Sequence, residues 1–192
     1  MANVVSICGS LRKASYNAAL ARTLPALAPA GMTIVSAPPW DKFPIYNADN
    51  QNSSGFPADV TAWADAIRAA DGVIIVSPEY NWSIPGGLKN AIDWVSRLKE
   101  IPFTGKPVAL QSCSGGLLGG SRMQYHLRMA LTTLDALMFG KPEVFVNFSA
   151  KKFDEKTLAL TDQPTIDMVK QQLAGFAKFI ARFGGKIEQG RQ

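Results

Sequence analysis

The stretch GVIIVS, residues 72–77, is apolar almost throughout and does not alternate. A strand with one wet face alternates, whereas a strand covered on both faces need not. The run therefore reads as a buried parallel strand. Upstream, residues 58–70 carry Val60, Trp63, Ala64 and Ile67 at helical spacing. Downstream, residues 86–97 do the same with Leu88, Ala91, Ile92 and Val95. A helix on each side of one apolar run is how a parallel sheet is built, because parallel strands need crossover connections.

The same alternation extends in both directions. Residues 3–8 (NVVSIC), 32–36, 107–113 and 143–148 read as strands, and residues 17–27, 121–138 and 164–183 as helices. Pro25 is expected to kink or shorten the first of these helices. Residues 37–56 hold three prolines and read as a long loop, of the length that serves as a flap or contact surface. Five strands alternating with five helices predict an α/β fold: a three-layer flavodoxin-like sandwich with a five-stranded parallel sheet in the order 2-1-3-4-5. One domain over residues 1–183 is expected, with a polar, frayed tail over 184–192.

Composition narrows the function. The 192 residues are 47% hydrophobic and 18% charged, which excludes wholesale disorder. Twenty Lys and Arg against fifteen Asp and Glu make the chain mildly basic, but no clustered stripe or motif predicts nucleic-acid binding. No apolar run reaches the ~18–20 residues of a membrane span. The first residues lack a secretory pattern, so a cytoplasmic protein is expected. A single histidine, His126, and two cysteines outside any CxxC pattern argue against a metal site or a histidine-based triad. In the order 2-1-3-4-5 one strand separates Cys8 from Cys113, a gap of ~9–10 Å, so two free thiols are expected.

Three loops leave the carboxyl edge of such a sheet, where ligands bind at the switch point. The first is Gly9-Ser10-Leu11-Arg12-Lys13-Ala14-Ser15-Tyr16-Asn17. It joins a strand to a helix N-terminus, which favours an anion. With one glycine it is neither GxGxxG nor GxxxxGK[ST], so Ser10, Arg12, Ser15 and Asn17 would grip as much as bare backbone does. That suits a terminal monophosphate better than a bridging pyrophosphate. The same Ser and Asn residues also suit helix capping alone. The second loop, residues 78–87, offers the flat faces of Tyr80 and Trp82 and the amide edge of Asn81 to a planar heteroaromatic ring, or forms a Pro-bounded turn packed on the core. The third, residues 112–122, has four glycines that allow close backbone approach, or simply flexibility.

These segments resemble the NAD(P)H-dependent FMN reductase family, in its chromate and quinone reductase branch. The matching stretches are GSLRKASYNAALA (9–21), SPEYNWSIPGGLKNAIDWVSR (77–97), GGSRMQYHLR (119–128) and GKPE (140–143). The resemblance implies a flavodoxin-like fold with one non-covalent FMN per subunit. It implies that Ser10, Leu11, Arg12, Lys13, Ala14, Ser15, Tyr16 and Asn17 surround the FMN phosphate and ribityl chain. Pro78, Glu79, Tyr80, Asn81 and Trp82 would line the ring, with Ser114, Gly115 and Gly116 on its other side. NADPH or NADH would reduce the flavin in one half-reaction. Quinones, flavins, chromate, ferric chelates or azo compounds would take two electrons in the other. The chemistry would lie at flavin N5, with no catalytic side chain and no metal.

The branch also implies a homotetramer, a dimer of dimers, with a polar network at the positions of Trp82, Arg122, Tyr125 and Glu143. Related sequences commonly carry Tyr at position 82. An indole N–H donates but does not accept, so the network should lose an acceptor and the ring pocket should be bulkier. Arg97 and Lys99 are expected either to guide anionic acceptors to the flavin or to complement a helix C-terminus. The competing reading from another class is a flavodoxin-type carrier of single electrons, which NAD(P)H would not reduce directly. A third is an α/β domain that binds no flavin.

Overall fold

The computed structural model describes residues 1–183, so the tail expected over 184–192 lies outside the described residues. Four main strands are β1 (Ala2–Cys8), β2 (Met32–Ser36), β3 (Gly72–Val76) and β4 (Pro107–Cys113), with the short β5 (Leu137–Met138) and β6 (Val144–Val146). The helices are α1 (Tyr16–Leu27), α2 (Ala48–Ser54), α3 (Ala58–Ala69), α4 (Gly86–Val95), α5 (Ser121–Thr132) and α6 (Gln163–Phe183), with a 3-10 turn at Ser149–Lys151. All strand pairs are parallel, in the order β2-β1-β3-β4-β5, with β6 also on β4. The α/β flavodoxin-like fold and its expected strand order are thus present.

Every residue of β3 and β4 is buried, because both faces of the sheet are covered. Val5, Ile7, Val73, Ile75, Val108 and Leu110 pack with α3, α4 and α5. Their neighbours Val4, Ile74, Val76 and Ala109 pack with α1 and α6. Side chains point to alternate faces along a strand, so an unbroken apolar run is what two covers require. Burying each such Val or Ile contributes about 1.5–3 kcal/mol.

Three expectations need correction. The fifth strand position is shared: β5 pairs with Pro107 and Val108, and β6 pairs with Gln111, Ser112 and Cys113. The strand read over 143–148 is only β6, and α5 ends at Thr132 instead of continuing to 138. Leu134, Leu137 and Met138 fall at helical spacing, and so short an apolar run does not distinguish helix from strand. Second, the loop over 37–56 contains α2, a polar helix with no buried residue and hence no periodic signal. Third, α1 runs through Pro25 to Leu27, so the proline does not shorten it.

The register sets Cys8 beside Val76 and Val76 beside Gln111, so β3 lies between the two cysteines, and both are free thiols. Among the described residues no helix is long and apolar enough to cross a membrane. The loops after β1, β3 and β4 leave one edge of the sheet, and β1 is where the strand order reverses.

Candidate functional site

Those three loops enclose a cleft of about 200 Å³. The first loop contributes Ser10, Arg12, Ser15, Tyr16 and Asn17 to it, the second Pro78, Glu79 and Tyr80, and the third Ser114 and Gly115. Cys113 and Ser149 also line it and were not foreseen. Leu11, Lys13, Ala14, Asn81, Trp82 and Gly116 were expected there and do not line it. Leu11 instead faces a second cavity beside Cys8 and Trp40.

At one end the cleft is built for an anion. Among the described residues, none of the backbone N–H groups of Ser10 to Ala14 finds a protein acceptor. The exposed Arg12 makes no ion pair among the described residues. The loop ends at the N-terminus of α1, where Ser15 Oγ accepts from the Ala18 N–H at 3.3 Å. Unpaired donors, a cation and a helix N-terminus together favour a phosphate.

Asn17 has a different task from the one its residue type suggested. Its Nδ2 donates to the Cys113 carbonyl at 3.0 Å, and its Oδ1 accepts from the Cys113 N–H at 2.8 Å. Ser77 N–H donates to the Gln111 carbonyl, and β3 itself ends at Val76. The Asn17 amide thus continues the ladder along β4 where β3 has ended, tying the first wall of the cleft to the third.

The second loop is a tight hairpin. Tyr80 and Ser83 exchange backbone hydrogen bonds of 3.1 and 2.9 Å, with Asn81 at φ 49° and Trp82 at φ 67°. Positive φ at both central residues marks a type I′ turn, whose usual second residue is glycine. A tryptophan there is strained. The turn aims Trp82 outward at 64% exposure, so it does not line the cleft of its own chain.

Helix α5 holds this hairpin. Its N-cap, Gly120, offers no side chain, and Glu79 Oε2 accepts the Met123 N–H at 3.1 Å instead. The Arg122 guanidinium lies 4.0 Å from the Trp82 ring centroid and 3.9 Å from Glu79 Oε1. His126 Nδ1 lies 3.1 Å from Ser83 Oγ, outside the cleft. Trp82 therefore meets Arg122 with a π face instead of a hydroxyl. On the same helix Tyr125 Oη donates to Glu143 Oε2 at 3.5 Å.

The four glycines of the third loop divide into two pairs. Gly119 and Gly120 have φ of 59° and 88°, and a Cβ on Gly119 would lie 2.7 Å from the Phe145 carbonyl carbon. The fold itself requires them. Gly115 and Gly116 have no positive φ, and a Cβ at Gly115 would meet nothing within 4 Å. Nothing in the protein itself demands glycine there. Ser112 Oγ fixes the loop by donating to the Gly119 carbonyl at 2.6 Å, and Gln124 donates to the same hydroxyl at 2.8 Å.

Arg97 lies beyond the far end of α4, about 16 Å along the axis from Gly86 at 1.5 Å per residue. Its guanidinium sits 5.2 Å from the Tyr46 ring centroid, and it does not line the cleft. The expected guiding of acceptors finds no support in that position. Burial raises both thiols: Cys8 beside the first loop, and Cys113 more strongly. Neither is a nucleophile at neutral pH.

This arrangement has known counterparts. Residues 2–151 match the family model of NADPH-dependent FMN reductases. A quinone reductase of Escherichia coli (strain K12) is 52% identical over 179 residues, spanning 93% of this chain and 95% of that protein. An NAD(P)H-dependent FMN reductase of Pseudomonas aeruginosa is 42% identical over 182 residues, spanning 95% and 97%. Among solved structures, FerB of Paracoccus denitrificans, a flavoenzyme NAD(P)H:(acceptor) oxidoreductase, superposes with a TM-score of 0.85 at 30% identity, over 95% of this chain and 99% of that one. A family model covering most of the chain, and relatives this similar over nearly their whole length, place it in the NADPH-dependent FMN reductase family.

Proposed function

We propose that this chain is an FMN-dependent NAD(P)H:quinone oxidoreductase in which donor and acceptor use the cleft in turn. One observation carries the reading. Three loops of matching chemistry converge on one cleft, with unpaired N–H groups and Arg12 at one end and sterically unneeded glycines at another. The chemistry that bound FMN would supply is the exchange of two electrons, taken as hydride from NAD(P)H with one further proton from solvent, and given with two protons to a quinone.

The chain's own residues bind and orient. Arg12 and the N–H groups of the first loop neutralise the phosphate, with the Ser10 and Ser15 hydroxyls beside them. Pro78 and the half-exposed Tyr80 flank the ring, and Gly115 leaves room on its other side. Glu79 holds the second loop on α5. His126 lies outside the cleft and the Cys113 thiol is held protonated by burial, so neither serves as a base. The open cleft suits varied planar or small acceptors, so flavins, chromate, ferric chelates and azo compounds belong to the same proposal. A homotetramer, a dimer of dimers, is part of it too. Arg122, Tyr125 and Met129 share one face of α5 beside the exposed Trp82, with Glu143 adjacent.

The test is a visible absorption spectrum of the purified protein, before and after anaerobic NADH or NADPH. Flavin bands that bleach in one step support the reading, as do parallel double-reciprocal plots with a quinone. A persistent one-electron radical points to an electron carrier. Absence of bands after FMN is added sinks the proposal.

A further inference from the structure

We infer that Ser149 is a further binding residue of the cleft, donating its hydroxyl to the ribityl-phosphate arm of FMN. This rests on the FMN reading above but concerns a fourth segment of chain, which none of the three loop motifs includes. Ser149 opens the 3-10 turn after β6, is 2% exposed, and lines the cleft beside Cys113 and Ser114. Among the serines of the cleft, Ser15 Oγ accepts from the Ala18 N–H and Ser114 Oγ accepts from the Gly116 N–H. The Ser149 hydroxyl has no protein partner among the described residues, although the residue is almost wholly buried. The Oγ atom itself keeps contact with solvent, so it lies at the surface of the cleft, free to donate to a ligand there.

The backbone presents it deliberately. Phe148 is held at φ 45°, a strained conformation for a bulky residue. The Phe148 N–H donates to the Gly116 carbonyl at 3.4 Å, and the Ser149 N–H to the Ser114 carbonyl at 3.1 Å. The turn is therefore fastened to the third loop, and Ser149 moves with the wall of the site. Its neighbour in the cleft is Ser114, next to the Cys113 backbone that Asn17 holds. A hydroxylated or phosphorylated chain matches that lining better than an apolar ring does.

The experiment is titration of the flavin-depleted full chain with FMN and with riboflavin, followed by flavin fluorescence, for the natural chain and Ser149→Ala. Loss of one hydrogen bond should weaken FMN binding about five- to tenfold. The melting temperature of the flavin-depleted variant should stay the same, because the hydroxyl holds no protein partner. Riboflavin weakened by the same factor places the hydroxyl on the ribityl chain, and riboflavin unaffected places it on the phosphate; either supports the inference. Unchanged FMN affinity in Ser149→Ala, with the natural chain binding normally, overturns it, as does a lowered melting temperature without loss of affinity. If the natural chain itself binds no FMN, the reading of the cleft fails and this inference falls with it.

Discussion

Asn17→Ala separates a structural tie from a ligand contact. The Asn17 amide makes hydrogen bonds of 3.0 and 2.8 Å to the Cys113 carbonyl and N–H, and both residues are buried. Alanine leaves both backbone groups without a partner where β3 has ended. Each orphaned group costs about 1–3 kcal/mol, so the pair costs about 2–6 kcal/mol, less if water enters the gap. At about 2–4 °C per kcal/mol for a chain of this size, the melting temperature should fall by about 4–24 °C. The assay is thermal denaturation of the flavin-free protein by near-ultraviolet circular dichroism. FMN affinity should fall as well, because the tie joins two walls of the cleft. Asn17→Asp should be destabilised at neutral pH, since a carboxylate accepts from the Cys113 N–H but repels the Cys113 carbonyl. A flavin-free melting temperature within about 2 °C of the natural chain, with only affinity reduced, would refute the structural role and make Asn17 a phosphate ligand.

The same geometry sets further outcomes. Gly115→Ala should leave the flavin-free protein as stable or about 0.4–1 kcal/mol more stable, while weakening FMN binding. Gly119→Ala should destabilise by about 2–4 kcal/mol, from strain at positive φ and the clash with Phe145, as measured by urea denaturation. Burial raises the Cys113 thiol above its ordinary 9.0, so the native state keeps a proton that the unfolded chain releases. That stability is fully present below the unfolded value and declines above it by about 1.4 kcal/mol per pH unit. Cys113→Ala should therefore lose less stability than the natural chain over the same alkaline range, and parallel curves would contradict the assignment. Sedimentation equilibrium should give a tetramer mass, and Arg122→Ala should shift it toward dimers; a natural chain that is only dimeric ends that part of the proposal.

The layer order, the switch point and the three loops were legible because they rest on local signals. The apolar runs over residues 72–76 and 107–110 mark strands covered twice, and glycine, proline and serine mark the loops after them. The polar α2 was not legible, since nothing on it is buried and it has no period. Nor was the division of the fifth ladder position between β5 and β6, because a two-residue strand exists only through its partner on β4. At the site, residue type and spacing pointed to a phosphate after β1 and a ring after β3. They did not say which of two uses an asparagine or a glycine serves. By residue type Asn17 could cap or bind, and only the Cys113 backbone beyond the end of β3 makes it a tie. Gly119 and Gly115 look alike in sequence, yet one is crowded by Phe145 and the other faces open space. Ser149 carries no motif at all. Its place comes from β6 running beside β4, a long-range pairing that local chemistry cannot announce.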